Sequence, residues 1–152
     1  MVQHQKIGIV AGKFDPILRG HLQHIQKAKA LVDYLIVITH TDEIVALARS
    51  KEGKIAKCMI PLEDRIATLK ALRWVDEVFI SVDGNGESAD TLRLIRRLYP
   101  KSTLKFVKGG DRKPDNMPLS EIKTCQEIDC EIVYGVGELL THASEVVSIC
   151  TQ

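Results

Sequence analysis

The residues best suited to chemistry lie in one short stretch, Gly12-Lys13-Phe14-Asp15-Pro16-Ile17-Leu18-Arg19-Gly20-His21. Glycine lets backbone N–H groups approach an anion, and a helix N-terminus after the loop adds partial positive charge, so phosphate is the natural guest. The spacing is not that of a Walker A loop, and the dinucleotide pattern G-x-G-x-x-G is absent from it. Lys51, Lys54 and Lys57 punctuate a second polar stretch, where flexible cations suit a loop that closes over ligand. Lys108-Gly109-Gly110-Asp111 follows a strand pattern and forms a third candidate loop. Each also has a plainer interpretation: Asp15-Pro16 as an ordinary turn, His21 as a helix-start residue, the lysines as a solvated charge run. His24 lies one turn beyond His21 and is expected to be surface or partly packed.

These loops need elements to hold them. Lys6 to Ala11 and Tyr34 to His40 are apolar, β-rich runs with the character of buried strands, and between them Leu22, Ile25, Ala28, Leu31 and Val32 recur at helical spacing. Pro61 opens a helical stretch through Leu72, using the preference of proline for a first helical position, and Glu77 to Val82 follows as a strand. Thr91 to Tyr99 turns Leu92, Ile95 and Leu98 inward and Arg93, Arg96 and Arg97 outward. Thr103 to Lys108 is a strand, Leu119 to Ile128 a helix, Glu131 to Tyr134 a strand and Ala143 to Ile149 a closing helix. Strands alternating with helices imply right-handed crossovers and a mainly parallel sheet covered on both faces. Ligands of such sheets bind beyond the carboxyl ends of the strands. The loops to watch are therefore 12–20, 39–42, 108–116 and 135–141.

The 152 residues suffice for one domain with a real core, and 45% hydrophobic and 27% charged residues describe an ordinary globular chain. A net charge of +1 gives no overall field for nucleic acid or an anionic membrane. No run approaches the roughly 20 apolar residues of a membrane span. No signal-peptide pattern precedes the first strand, so a cytoplasmic setting is expected. Cys58, Cys125, Cys130 and Cys150 contain no C-x-x-C pair and are expected as reduced thiols. Glu138, His142 and Glu145 are spaced four and three, but a helix starting near Thr141 leaves Glu138 outside it. No metal cluster of side chains is expected.

The first motif resembles the signature G-x-F-D-x-x-H-x-G-H of the cytidylyltransferase-like nucleotidyltransferases, matching at Gly12, Phe14, Asp15, Gly20 and His21 and departing at Leu18. The stretch Arg49 to Arg65, ending Pro61-Leu62-Glu63-Asp64-Arg65, is similar to the family's lysine-rich loop, and Leu72 to Val78 to the segment after it. Val107-Lys108-Gly109-Gly110-Asp111 resembles the late half of heptose-1-phosphate adenylyltransferase domains, with glycerol-3-phosphate cytidylyltransferase a close second.

The resemblance implies a single Rossmann-like α/β domain over residues 1–152, with a five-stranded parallel sheet of order 3-2-1-4-5 and helices on both faces. It implies transfer of a nucleotidyl group from ATP, or alternatively CTP, to a phosphorylated sugar or polyol, with release of pyrophosphate, Mg²⁺ as cofactor, and a homodimer. Carried over by position, Gly12, Lys13, Phe14, Leu18, Gly20 and His21 would surround the triphosphate, and Asp15 would organise that loop or its Mg²⁺. Lys51, Lys54, Lys57, Arg65 and Arg73 would hold substrate phosphate, with His21, Lys13 and Arg65 as the catalytic residues; Lys108, Gly109, Gly110 and Asp111 would border the nucleotide. Relatives carry R-x-x-x-I-S-[ST]-[ST] near the end, of which Thr141 and Ser144 survive here as hydroxyls while the arginine does not. Leu18 cannot donate a hydrogen bond where most relatives have histidine, and Lys13 offers a compensating charge. A nucleotide-binding module without turnover is the alternative, and a purely structural domain a weaker third.

Overall fold

Doubly wound packing explains why the strands are apolar on both sides. The computed structural model describes residues 6–137, which form β1 (Lys6–Ala11), α1 (Arg19–Lys29), β2 (Tyr34–Thr39), α2 (Asp42–Lys51), α3 (Leu62–Ala71), β3 (Glu77–Ile80), α4 (Ala89–Leu98), β4 (Thr103–Val107), α5 (Leu119–Glu127) and β5 (Cys130–Val133). All four strand pairings are parallel and the order is β3-β2-β1-β4-β5, as expected from the sequence. Alternate residues of each strand face opposite layers. Ile7, Ile9, Ile36, Ile38, Leu104 and Phe106 pack against Leu92 and Ile95 of α4 and Cys125 of α5. Val10, Leu35, Val37 and Val107 meet Ile25 and Ala28 of α1 and Leu69 of α3 on the other face. Gly8 has no room for a side chain, because a Cβ there would stand 2.8 Å from a Val32 methyl.

Three differences from the sequence expectations stand out, the first two of them at the site. Helix α1 begins at Arg19, so Gly20 belongs to its first turn together with His21 rather than to the loop before it. Helix α2 has no counterpart in the expected elements. Its apolar stripe is short, yet its ends are well marked: Thr41 Oγ1 accepts from Ile44 N, Asp42 and Glu43 occupy the first turn, and Arg49 and Lys51 the last. Arg96 is a brace rather than a member of a wet face, donating to the carbonyls of Ile128, Tyr99, Ser102 and Asp129. Thr141, Ser144, Glu138, His142, Glu145 and the expected closing helix lie outside the described residues. No described helix is long and apolar enough to cross a membrane.

Candidate functional site

A cavity of about 430 Å³ opens at the carboxyl edge of the sheet. Ala11, Gly12, Lys13, Phe14 and His21 line one side, and Ile44, Val45, Ala48, Lys51 and Glu52, on α2 and just past it, form another. His40, Ser88, Lys108, Arg112 and Glu121 complete it from the ends of β2 and β4 and the starts of α4 and α5. The topology thus brings together residues from well-separated elements and loops of the chain.

The loop after β1 is built to orient His21. Its Nδ1 accepts a 3.0 Å hydrogen bond from the backbone N–H of Leu18, the residue capping α1. A ring nitrogen that accepts has no hydrogen, so the neutral ring carries its hydrogen on Nε2. The edge of the ring also meets Phe14, with centroids 5.3 Å apart. Phe14 holds a left-handed backbone conformation, φ 52°, which is costly for an aromatic residue and needs support. Its ring sits under Gly12, where a Cβ would come within 3.0 Å of it. Glycine at position 12 therefore leaves space for the ring that supports His21.

Asp15 fastens this loop from below. Its fully buried carboxylate accepts from Met59 N and Ile60 N and pairs with Arg49, whose Nη1 also donates to Lys57 O and whose Nη2 donates to Asp15 O. Burial pushes the Asp15 carboxyl upward, but the two amides and the guanidinium together hold it below the usual carboxylate range. Of the two places the sequence offered it, loop or Mg²⁺, its contacts occupy it with the loop. Among the described residues no group of three His, Cys, Asp or Glu side chains is arranged to hold a metal ion.

Arg65 and Arg73 stand elsewhere than expected. Arg65 is 1% exposed and donates to the carbonyls of Ile60 and Lys13, to Thr39 Oγ1 and to Asp42. It braces the backbone of Lys13 and does not line the cavity. Arg73 precedes β3, at the amino edge of the parallel sheet and so at the far end from the cavity, with its guanidinium 5.0 Å above the Trp74 ring. Trp74 itself packs on the core beneath α3. His24 is a packing residue: burial lowers its pKa, and its ring meets Val136 O at 2.6 Å.

The lysines divide. Lys13, Lys51 and Lys108 line the cavity, whereas Lys54 and Lys57 do not. Lys13 Nζ lies 3.1 Å from Glu52, which Lys54 also meets at 3.0 Å. Lys108 is nearly buried, 4.3 Å above the Phe106 ring, and burial lowers its pKa. Leu18, Gly20, Gly109, Gly110 and Asp111 shape the neighbouring turns without lining the cavity.

Residues 9–146 match the family model described as cytidylyltransferase-like. The chain belongs to the cytidylyltransferase-like family. Every residue lining the cavity falls within that match. An FAD synthase of Pyrococcus abyssi is 39% identical over 147 residues, 95% of this chain and 91% of that protein. The FAD synthase of Pyrococcus horikoshii is 42% identical over 92 residues, a match spanning 60% of this chain and 56% of that protein's length. The bifunctional protein HldE of Gluconacetobacter diazotrophicus is 36% identical over 115 residues, 76% of this chain but 21% of its own. A lipopolysaccharide core biosynthesis protein of Thermoplasma volcanium shares the fold, with TM-score 0.62 and 21% identity over 90% of this chain and 99% of that one.

Among the residues of this family member's site that were not singled out from sequence, Arg49, His40 and Glu121 matter most. Arg49 was hidden because α2 was; a lone arginine amid Leu47, Ala48 and Ser50 carries no signal of burial. His40 ends a strand and lies inside the 39–42 loop, where its residue type alone assigned it no role. Glu121, in the first turn of α5, resembles an ordinary helix-start acid.

Proposed function

We propose that the described domain is an adenylyltransferase that joins AMP from ATP to a phosphorylated polyol or sugar, flavin mononucleotide being the first candidate acceptor. The supporting observation is the oriented His21 ring at the start of α1, sharing one cavity with Gly12, Lys13 and Lys108. In this reaction an acceptor phosphate oxygen attacks the α-phosphorus, and the α–β bridging bond breaks with its electron pair leaving on pyrophosphate. No covalent work is asked of the protein, so positioning and charge stabilisation carry the rate. His21 donates from Nε2 to the phosphates, the first-turn amides of α1 add their partial charge, and Lys13 and Lys108 neutralise developing negative charge. Flavin mononucleotide is favoured over other polyol phosphates by the near full-length similarity to the Pyrococcus abyssi FAD synthase. A phosphorylated sugar is the next choice, through the similarity to HldE.

Leu18 favours a second reading, a nucleotide binder without turnover, because an aliphatic side chain adds no donor at the start of α1. The two separate in one experiment. Incubation of the protein and Mg²⁺ with α-labelled ATP or CTP and either flavin mononucleotide or glycerol 3-phosphate transfers label to the acceptor on the first reading. On the second, label is retained on protein-bound nucleotide and no product forms.

A further inference from the structure

The far wall of the cavity holds two buried polar side chains whose hydrogen-bonding capacity the protein does not use. Glu121 is 4% exposed. Its Oε1 accepts from Ser88 N at 3.0 Å, which fixes the carboxylate, but Oε2 has no hydrogen-bond partner. The nearest cation, Lys108 Nζ, is 4.0 Å away, beyond hydrogen-bond range. His40 is 5% exposed, and its Nδ1 has no partner either. Buried polar atoms in native proteins are almost always satisfied, and an exception calls for an explanation. Arg49, a third residue lining the cavity, also has an unpartnered atom, Nε, so three such exceptions share one cavity and have a common explanation: a ligand supplies what is missing.

The chemistry of the pair narrows that ligand. Burial holds the His40 imidazole neutral, with a pKa of about 4, so it presents one donor and one acceptor and no charge. Lys13, Arg65 and Lys108 act in the same direction on it, and Asp83 opposes them. An unpaired carboxylate oxygen repels phosphate and needs a donor. Ile44, Val45 and Ala48 supply the apolar wall of the same cavity. A group with several neutral donors over an apolar skeleton fits; another phosphate does not.

We propose that Glu121 and His40 form a hydroxyl-binding subsite, taking the diol or polyol part of a ligand whose phosphates lie against Gly12, Lys13 and His21. The subsite rests on the nucleotidyltransferase reading above. Its hydroxyls come either from the ribose of the nucleotide or from the polyol chain of the acceptor. Both present the same chemistry, and the test tells them apart.

Calorimetric titration of the whole protein with tripolyphosphate, ATP, 2′,3′-dideoxy-ATP and flavin mononucleotide, for the parent, Glu121→Gln and His40→Phe, decides the matter. Glu121→Gln keeps an oxygen for Ser88 N–H and replaces the other with a donor. His40→Phe fills the same space with no polar atom, and because it removes an unsatisfied buried group its melting temperature is expected at or above the parent's. Each variant is expected to bind ATP or flavin mononucleotide at least about tenfold more weakly while tripolyphosphate binding stays within about twofold. A loss confined to ATP, with the parent also disfavouring the dideoxy nucleotide, assigns the ribose; a loss confined to flavin mononucleotide assigns the acceptor. Unchanged affinity for ATP and flavin mononucleotide in both variants overturns the subsite and leaves the nucleotide reading standing, and so does an equal loss for tripolyphosphate. A parent that binds neither ATP nor tripolyphosphate overturns the nucleotide reading, and the subsite with it.

Discussion

Arg49 Nη1 lies 2.5 Å from Asp15 Oδ2, with the two side chains 1% and 0% exposed. This pair ties α2 to the loop after β1, and through Lys57 O, Met59 N and Ile60 N it pins the far end of the lysine-rich stretch to the same point. Removing one member leaves the other charge buried and uncompensated, which costs on the order of 3–5 kcal/mol. Arg49→Met and Asp15→Asn are each expected to lower urea stability by that order, and the double variant by clearly less than their sum. Losses below about 1 kcal/mol in both single variants would show that the pair does not hold the loop.

The parallel α/β class was legible because its strands are continuous apolar runs separated by helical periods, and the strand order followed from the family resemblance. The loop that orients His21 was legible for a different reason: Gly12, Phe14, Asp15, Gly20 and His21 match a family signature, and the structure brings Gly12, Phe14 and His21 to one cavity. Arg65 was misplaced because sequence reports that a cation is present, not whether its guanidinium is consumed by carbonyls of Ile60 and Lys13. Arg73 was misplaced because α3 carries the chain back to the amino edge of the sheet before β3 begins. His40 and Glu121 acquire significance only from what they lack, and an unmet hydrogen bond has no signature in a sequence.

Lys13 and Glu52 give a second prediction. The pair is partly exposed, 28% and 45%, so its contribution to stability is at most about 1 kcal/mol, but it engages the ammonium nearest the proposed triphosphate. Glu52→Gln is expected to leave the melting curve nearly unchanged and to tighten ATP binding several-fold. If Lys13 compensates for Leu18, Lys13→Ala abolishes turnover with only a modest loss of ATP affinity. Unchanged turnover in Lys13→Ala removes the compensating role.

Acid sensitivity offers a third. His40 has a pKa of about 4 in the folded protein, against about 6.5 for an unperturbed histidine, so the unfolded chain binds the extra proton first as pH falls. Its contribution to stability is present above about pH 6.5 and is lost progressively toward pH 4, by an amount on the order of 3 kcal/mol. His24, also lowered by burial, adds to the same trend, while Glu121, raised by burial, opposes it. The difference between parent and His40→Phe stability should therefore grow as pH drops through this window. Parallel stability curves from pH 7 to pH 4 would contradict the buried, neutral imidazole.

The lysine-rich stretch gives a fourth. Its carboxyl end is fastened by Asp15 and Arg49, whereas Lys51, Lys54 and Lys57 are exposed. Trypsin cleavage at these lysines is expected to slow when ATP and acceptor are both present. Equal cleavage rates with and without ligands would make the stretch a solvated charge run.

The most direct measurement is the initial rate of acceptor-dependent pyrophosphate release from ATP and Mg²⁺, with flavin mononucleotide, glycerol 3-phosphate and a heptose 1-phosphate as acceptors, for the parent, His21→Ala and Leu18→His. The account predicts release by the parent with at least one acceptor, a loss of about 10²–10³-fold in His21→Ala, and a faster rate in Leu18→His. No release by parent or Leu18→His with any acceptor, while ATP still binds, would contradict nucleotidyl transfer and leave a nucleotide-binding module.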